Sequence, residues 1–287
     1  MSIEPARVAD AMAAGLAMVS RGSAVAPVRS HIDLGQGAGT YLISGALTDL
    51  DLLSIKVINV RPGNPQRGLE RLQGSLTVFE LSTGRPLATL DARAATEART
   101  AACSAVSLRL MARPDASVLA VFGTGPQAVA HVRALTAERD FDEIRTVGRH
   151  EDSSGRLAAL KGATIIVTAT NSASPLFGTS AVEPGSHLIL VGSGSAAARE
   201  VEPGLLGRAA AIRVDHRPSC LEESGEIVSA LRNGLITEGS VRELGEVVLG
   251  RIPGRTTADD ITVYKSVGNG TQDAALAALL LGLAIPS

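Results

Sequence analysis

Six residues, Ser117–Phe122, form a compact apolar run that leads directly into Gly123-Thr124-Gly125-Pro126-Gln127-Ala128, and a helical pattern continues from there through Ala137. No other stretch constrains the fold as tightly. A strand that ends in a glycine-rich turn and hands over to a helix opens a βαβ unit able to cradle a dinucleotide. Gly123 permits the tight turn, Gly125 lets the backbone approach a pyrophosphate, and Ala128 lets the helix pack close to the strand. Thr124, Pro126 and Gln127 complete the turn, and the helix N-terminus offers unpaired N–H groups to phosphate oxygens. An ordinary glycine-rich turn is the alternative, but both flanks match the dinucleotide context.

The rhythm on either side agrees. Downstream, 144–147, 164–168, 187–191 and 211–214 read as short strands alternating with helices, which predicts a doubly wound parallel sheet and an α/β fold class. Upstream, Val8, Met12, Leu16 and Val19 mark an amphipathic helix over 3–21. A glycine-rich, strand-like region covers 30–53, and the β-branched run Ile55–Val60 follows. Residues 61–74 read as a loop, Ser75–Leu81 and Pro86–Asp91 as a hairpin, and Thr96–Met111 as an alanine-rich helix. Arg113-Pro114-Asp115 marks a boundary. After Arg217 come helical patterns over 219–233 and 240–249, a strand over 261–266 and an apolar helix over 274–285.

Composition narrows the function. The 287 residues carry a net charge of −2, with 2% aromatic residues and no Trp. A nucleic-acid binder needs a basic face and usually stacking aromatics, so that class is set aside. Cys103 and Cys220 cannot build a disulfide framework and lack metal-ligand spacing, so buried thiols in a reduced compartment are expected, with no metal. The N-terminus has no signal-peptide pattern, and the apolar C-terminal run falls short of the ~20 residues a bilayer span needs. A cytoplasmic protein without membrane contact is expected, the terminal helix serving core or subunit packing.

The strand Ile144–Val147 should end beside the adenosine ribose. An NAD site usually places an acid there, whereas this chain has Gly148-Arg149-His150. A planar multi-donor cation suits a 2′-phosphate, favouring NADPH with NADH possible; a solvated loop arginine is the alternative.

With these residues in hand, the chain resembles the ornithine cyclodeaminase/mu-crystallin family. The matching segments are Ile55-Lys56-Val57 with Pro62-Gly63-Asn64, Thr96-x-x-Arg99-Thr100-Ala101-Ala102, and the Gly123 turn with Gln127-Ala128-x-x-His131. They continue with Val167-Thr168-Ala169-Thr170-Asn171-Ser172, Glu243-Leu244-Gly245-Glu246, Pro253-Gly254-Arg255 and Ile261–Gly268, in one consistent order. The resemblance implies a Rossmann-type domain over 114–257 inserted into an α+β substrate-binding and dimerisation domain made of 1–113 and 258–287. It implies a homodimer acting on a small amino acid or cyclic imine. It also implies that Arg29, Lys56 and Arg99 hold the substrate carboxylate, a task suited to bidentate arginines and a point-charge lysine. Arg99 has an alternative in pairing with Glu97 or Asp91. Thr168, Ala169, Thr170, Ser172 and Gly192 fall at the nicotinamide side, where the hydroxyls could equally cap a helix near Ser174-Pro175. Lys265 and Ser266 close the site in the resemblance, although a strand-end lysine is usually solvated. His131 reads as structural.

Two departures shape the reading. Cyclodeaminase-like members carry an acid after the strand at 187–191, which deprotonates the substrate amine; here 193–198 hold none, and Glu200 lies too far along for that role by simple matching. Oxidation of an amino acid loses its first step, whereas reduction of a ready-made imine does not. The expectation is therefore NADPH-dependent reduction of a cyclic ketimine carboxylate such as Δ1-pyrroline-2-carboxylate or Δ1-piperideine-2-carboxylate. Ornithine cyclodeamination or NAD-dependent amino acid dehydrogenation is the runner-up, and a cofactor-binding protein with little catalysis the third reading. The second departure is the short stretch from Arg149 to Ala163, which leaves room for one small helix and predicts an open adenine side.

Overall fold

In the computed structural model, which describes residues 3–285, the first part of the chain builds an antiparallel sheet with helices on one face. Helix α1 (Pro5–Arg21) is followed by β1 (Ala24–Val25), β2 (Ser30–Gly35), β3 (Ala38–Leu47), β4 (Leu52–Val60), β5 (Leu72–Glu80), β6 (Pro86–Asp91) and α2 (Ala92–Met111). The strand order is β1-β3-β4-β5-β6, with β2 also paired to β3. The pleat sorts the side chains. Ile43, Lys56 and Leu76 stand opposite one another on the inner face and are buried, whereas Leu42 and Ile55 point outward and are exposed. Helix α2 begins earlier than its alanine-rich pattern suggests, because Asp91 caps it by accepting from the Ala94 N–H at 2.7 Å.

The parallel sheet comprises β7 (Val118–Phe122), β8 (Glu143–Val147), β9 (Ile165–Thr168), β10 (His187–Leu190), β11 (Ala211–Val214), β12 (Val241–Glu243) and β13 (Thr262–Lys265). Its helices are α3 (Pro126–Thr136), α4 (Ser153–Leu160), α5 (Pro203–Arg208), α6 (Arg217–Glu223), α7 (Gly225–Arg232) and α8 (Leu244–Val248), and α9 (Gly270–Leu280) follows β13. The order is β12-β11-β13-β10-β9-β7-β8, with every pairing parallel. This is a Rossmann-type sheet whose direction of winding reverses between β7 and β9, the switch point where such folds bind ligands. Among the described residues nothing pairs beyond β8. The short link through α4 therefore leaves β8 as the edge, where a full dinucleotide fold has one strand more.

Several expectations need adjusting. The span 219–233 is two helices, because Ser224 ends α6 and caps α7 by accepting from the Ile227 N–H. The span 240–249 opens with the short edge strand β12 before α8. The largest difference concerns 261–266. The expected domain limits place this stretch with the substrate domain, yet β13 pairs with both β10 and β11 inside the parallel sheet. The chain returns to the antiparallel sheet only at α9.

That return is tight. The start of α9 lies directly on β3, so that a Cβ on Gly270 or Gly45 would collide with the other segment's backbone, and Ser54 donates to the Gly270 carbonyl at 2.7 Å. Gly245 of α8 likewise meets the backbone of α1 at Leu16. Both cysteines are buried free thiols. Among the described residues no helix is long and apolar enough to cross a membrane.

Candidate active site

Two cavities meet at the switch point. One, of about 950 Å3, is lined by Gly123, Thr124, Gly125, Gly148, Arg149 and His150, and reaches Ser172. The other, of about 790 Å3, lies between the sheets and is bordered by Tyr41, Ile58, Thr96, Gln127 and Gly192. Gly125, Ala169, Thr170 and Asn171 line both.

The turn at Gly123 fits a dinucleotide on its own geometry. Gly123 has φ +127°, and a Cβ there would stand 2.5 Å from the Ala169 carbonyl oxygen, so only glycine is accommodated. A Cβ on Gly125 would meet nothing within 4 Å, which leaves the backbone open to the cavity. Helix α3 starts at Pro126 with no side-chain cap, so its first N–H groups are unspent. The Gln127 Oε1 is buried without a partner among the described residues. Ala128 is buried against the strand, and His131 is held from both sides, its Nδ1 2.7 Å from the Gln127 carbonyl and its Nε2 2.9 Å from Ser104 Oγ.

Opposite the turn, the hydroxyls of Thr168 and Thr170 serve a carboxylate. Glu200 Oε2 accepts from Thr168 Oγ1 and the Gly192 N–H, each at 2.8 Å, and Oε1 accepts from the Thr170 N–H and Oγ1, each at 2.7 Å. Burial pushes the Glu200 carboxyl up, opposed by the Lys265 ammonium and by these hydrogen bonds. Ser172 donates to the Ser174 carbonyl at 2.6 Å within a loop, and no helix starts near Ser174-Pro175 for the hydroxyls to cap.

Lys265 and Ser266, expected to close the site, border neither cavity. β13 is an inner strand, so Lys265 at its end is buried, and Ser266 just beyond it is buried too. The Lys265 ammonium donates to the Ser193 carbonyl at 2.6 Å and pairs with Glu226 at 3.2 Å. Ser266 Oγ donates to Asp215 at 2.8 Å.

Lys56 and Arg99 do come together, on a partner that sequence reasoning missed. Lys56 Nζ lies 2.7 Å from Asp273 Oδ2 and donates to Thr96 Oγ1 at 3.1 Å. Arg99 Nε lies 3.6 Å from Asp273 Oδ1, and Arg99 Nη1 donates to Gln272 Oε1 at 2.6 Å. Gln272 Nε2 in turn donates to Asp215 at 3.0 Å, and Asp215 also takes the Gly268 N–H at 2.7 Å. Gly268 has φ +81° and packs against the Arg99 guanidinium, which leaves no room for a side chain. Two cations thus share one carboxylate in a dry environment. Burial lowers the Lys56 pKa to about 8, partly offset by Asp273 and reinforced by Arg99. Both cations sit one layer behind the cleft, and Thr96 is the wall between.

Arg29 does not join them. Its guanidinium pairs with Glu223 at 3.0 Å, donates to the Gly194 carbonyl at 2.6 Å and stacks 5.2 Å from the Tyr41 ring centroid. It bridges the antiparallel domain to the loops after β10 and β13. Asp273 carried one available signal, an acid directly before the apolar run Ala274–Leu280 of the terminal helix. Glu200 and Asp215 carried none, because half of the donors to each are backbone N–H groups brought in by the fold.

Comparison with known proteins agrees with this architecture. A family model described as "Ornithine cyclodeaminase/mu-crystallin family" matches residues 2–159 and 153–282. The Delta(1)-pyrroline-2-carboxylate reductase of Bacillus cereus is 30% identical over 91% of this chain and 86% of that protein. The ketimine reductase mu-crystallin of Mus musculus is also 30% identical, over 90% of this chain and 85% of its own. The structure of the Thermococcus litoralis Delta(1)-pyrroline-2-carboxylate reductase in complex with NADH and L-proline superposes with a TM-score of 0.87 at 26% identity, covering 99% of this chain and 96% of the other. The segment order, the switch-point cavities and these matches lead to one assignment: the chain belongs to the ornithine cyclodeaminase/mu-crystallin family.

Proposed function

We propose that the protein is an NAD(P)H-dependent reductase of cyclic ketimine carboxylates, of the Δ1-pyrroline-2-carboxylate or Δ1-piperideine-2-carboxylate type. The carrying observation is the cleft of about 790 Å3 that shares its floor with the dinucleotide cavity and backs onto Lys56, Arg99 and Asp273. The nicotinamide cofactor, when bound, supplies hydride. The protein's own groups do the rest. Two buried cations against one carboxylate leave the wall net positive, which attracts the substrate carboxylate. Thr96 Oγ1 accepts from Lys56 and keeps its own hydrogen free to donate into the cleft. With a pKa near 8, Lys56 is charged at neutral pH yet able to part with a proton, and Thr96 can pass it to the imine nitrogen.

Arg149 and His150 on the adenosine cavity favour NADPH, with NADH accepted. The exposed face of the antiparallel sheet, with Ile32, Leu42 and Ile55, suits a homodimer, and two free buried thiols suit the cytoplasm. The deciding assay follows cofactor oxidation with both cyclic imines at pH 6–8. Turnover is expected, with kcat/KM higher for NADPH. Arg149→Ala should lower that preference about tenfold by acting on NADPH alone. No oxidation by either imine, or ammonia release from ornithine with catalytic NAD, overturns the reading.

A further inference from the structure

We infer that Glu200 is the positioning residue of the cofactor's reactive end, a clasp that sets the spacing between the β9 and β10 loops; the inference rests on the reductase reading for its kinetic part only. Its carboxylate collects three donors from the end of β9 and one from the end of β10. Thr168 and Thr170 belong to β9 and the loop after it, and Gly192 to the loop after β10. Each oxygen receives one peptide N–H and one hydroxyl. A peptide N–H can only donate, so both oxygens must remain acceptors.

The residue is itself pinned. Its backbone N–H donates to Glu226 Oε1 at 2.9 Å, and its carbonyl accepts from the Leu176 N–H at 2.8 Å. Glu226 is paired with Lys265, whose charge offsets that of Glu200 in the same buried layer. Gly192 has no room for a Cβ between Thr170 and Glu200, so the two loops close onto the carboxylate without slack.

The place of this clasp gives it a function. The pyrophosphate end of a dinucleotide belongs at Gly123–Gly125, and the way into the substrate cleft passes Ala169, Thr170 and Asn171, which line both cavities. Thr170 lines that passage and Gly192 lines the substrate cleft beside it, and Glu200 holds each of them by its backbone N–H. It touches neither cavity, so it acts through these two residues. Its influence should fall on the nicotinamide ring and leave the adenosine contacts near Arg149 unaltered.

Glu200→Gln tests this, since an amide keeps the shape but faces one peptide N–H with another donor. NADPH is titrated into wild type and variant while emission of the reduced nicotinamide is recorded, and imine reduction is then measured. The variant should bind NADPH within about threefold of wild type, lose most of the emission enhancement, and drop at least thirtyfold in kcat with imine KM within threefold. Thr168→Val, which removes one of the four donors, should move emission and kcat the same way by about three- to fivefold, and it decides the matter if the Gln variant fails to fold. Emission and kcat within twofold of wild type overturn the assignment. So does a loss of NADPH affinity as large as the loss of kcat, which would mean that Glu200 supports the whole site. Should the wild-type protein reduce no cyclic imine, the reductase reading fails alone, and the emission readout still judges Glu200.

Discussion

The two halves of the cleft are built from different materials. On the cofactor side the protein presents backbone: an uncapped helix start, a glycine forced to φ +127° and another with open space before it. On the substrate side it presents charge held one layer down, with Lys56 and Arg99 sharing Asp273 behind Thr96. Backbone sites fail by steric obstruction, locally and all at once. Charge clusters fail by imbalance, and the imbalance is felt by every member.

The sharpest way to break that contrast is Asp273→Asn. It leaves two buried cations adjacent with no anion, a change that costs about 3 kcal/mol or more for buried pairs. Unfolding in urea should show that loss, and turnover should fall at least about a hundredfold while NADPH titration is little altered. Unchanged stability would mean that the three groups are not an electrostatic unit. Next in size is a pair of substitutions in one turn. Gly123→Ala should cost about 2 kcal/mol of stability, because both φ and the Ala169 carbonyl oppose a Cβ. Gly125→Val should leave the melting temperature near wild type and weaken NADPH at least about tenfold, because its side chain would meet no protein atom and enter the open cavity at the dinucleotide turn. Equal behaviour of the two in thermal melts would remove the distinction between a structural and a ligand-facing glycine.

The smallest effect belongs to the joint between the halves. Helix α2 lays Ser104 against His131 on α3 and Ser107 against His187 on β10. Burial keeps both imidazoles neutral, lowering His131 to about 4 and His187 to about 3. Between those values and the ordinary 6.5 the unfolded chain binds the protons, so stability falls as pH drops below 6.5. His131→Gln should remove about 1 kcal/mol of that loss between pH 6.5 and 5.5, read from urea unfolding at several pH values.

What could be seen in the sequence divides along the same line. The glycine turn lies in one contiguous stretch, with local rules for each residue, and its place between strand and helix was legible. So was the missing strand after β8, because chain length alone forbids it. Lys56 stood out because an ammonium inside a β-branched run demands a partner. The partner did not, since Asp273 is 217 residues away and reaches β4 only because glycines let α9 rest on β3. Arg29 was legible as a cation and illegible as a bridge, its contacts coming from α6 and two separate loops. Glu200 was judged by its distance along the chain from the expected acid, whereas its role depends on two strand ends converging. Strand β13 was recognised as a strand, but four residues carry no information about which neighbours they will take.

That last strand has a consequence for how the protein is made. β10 and β11 meet only through β13, which is synthesised after both and after β12. Until Lys265 has left the ribosome, the parallel sheet is two fragments, each ending on an apolar strand with unpaired backbone groups. The nascent chain therefore cannot complete this domain as it emerges, and its folding must wait for a long-range closure late in synthesis. A chain truncated before Thr262 would lack the strand that joins the two fragments.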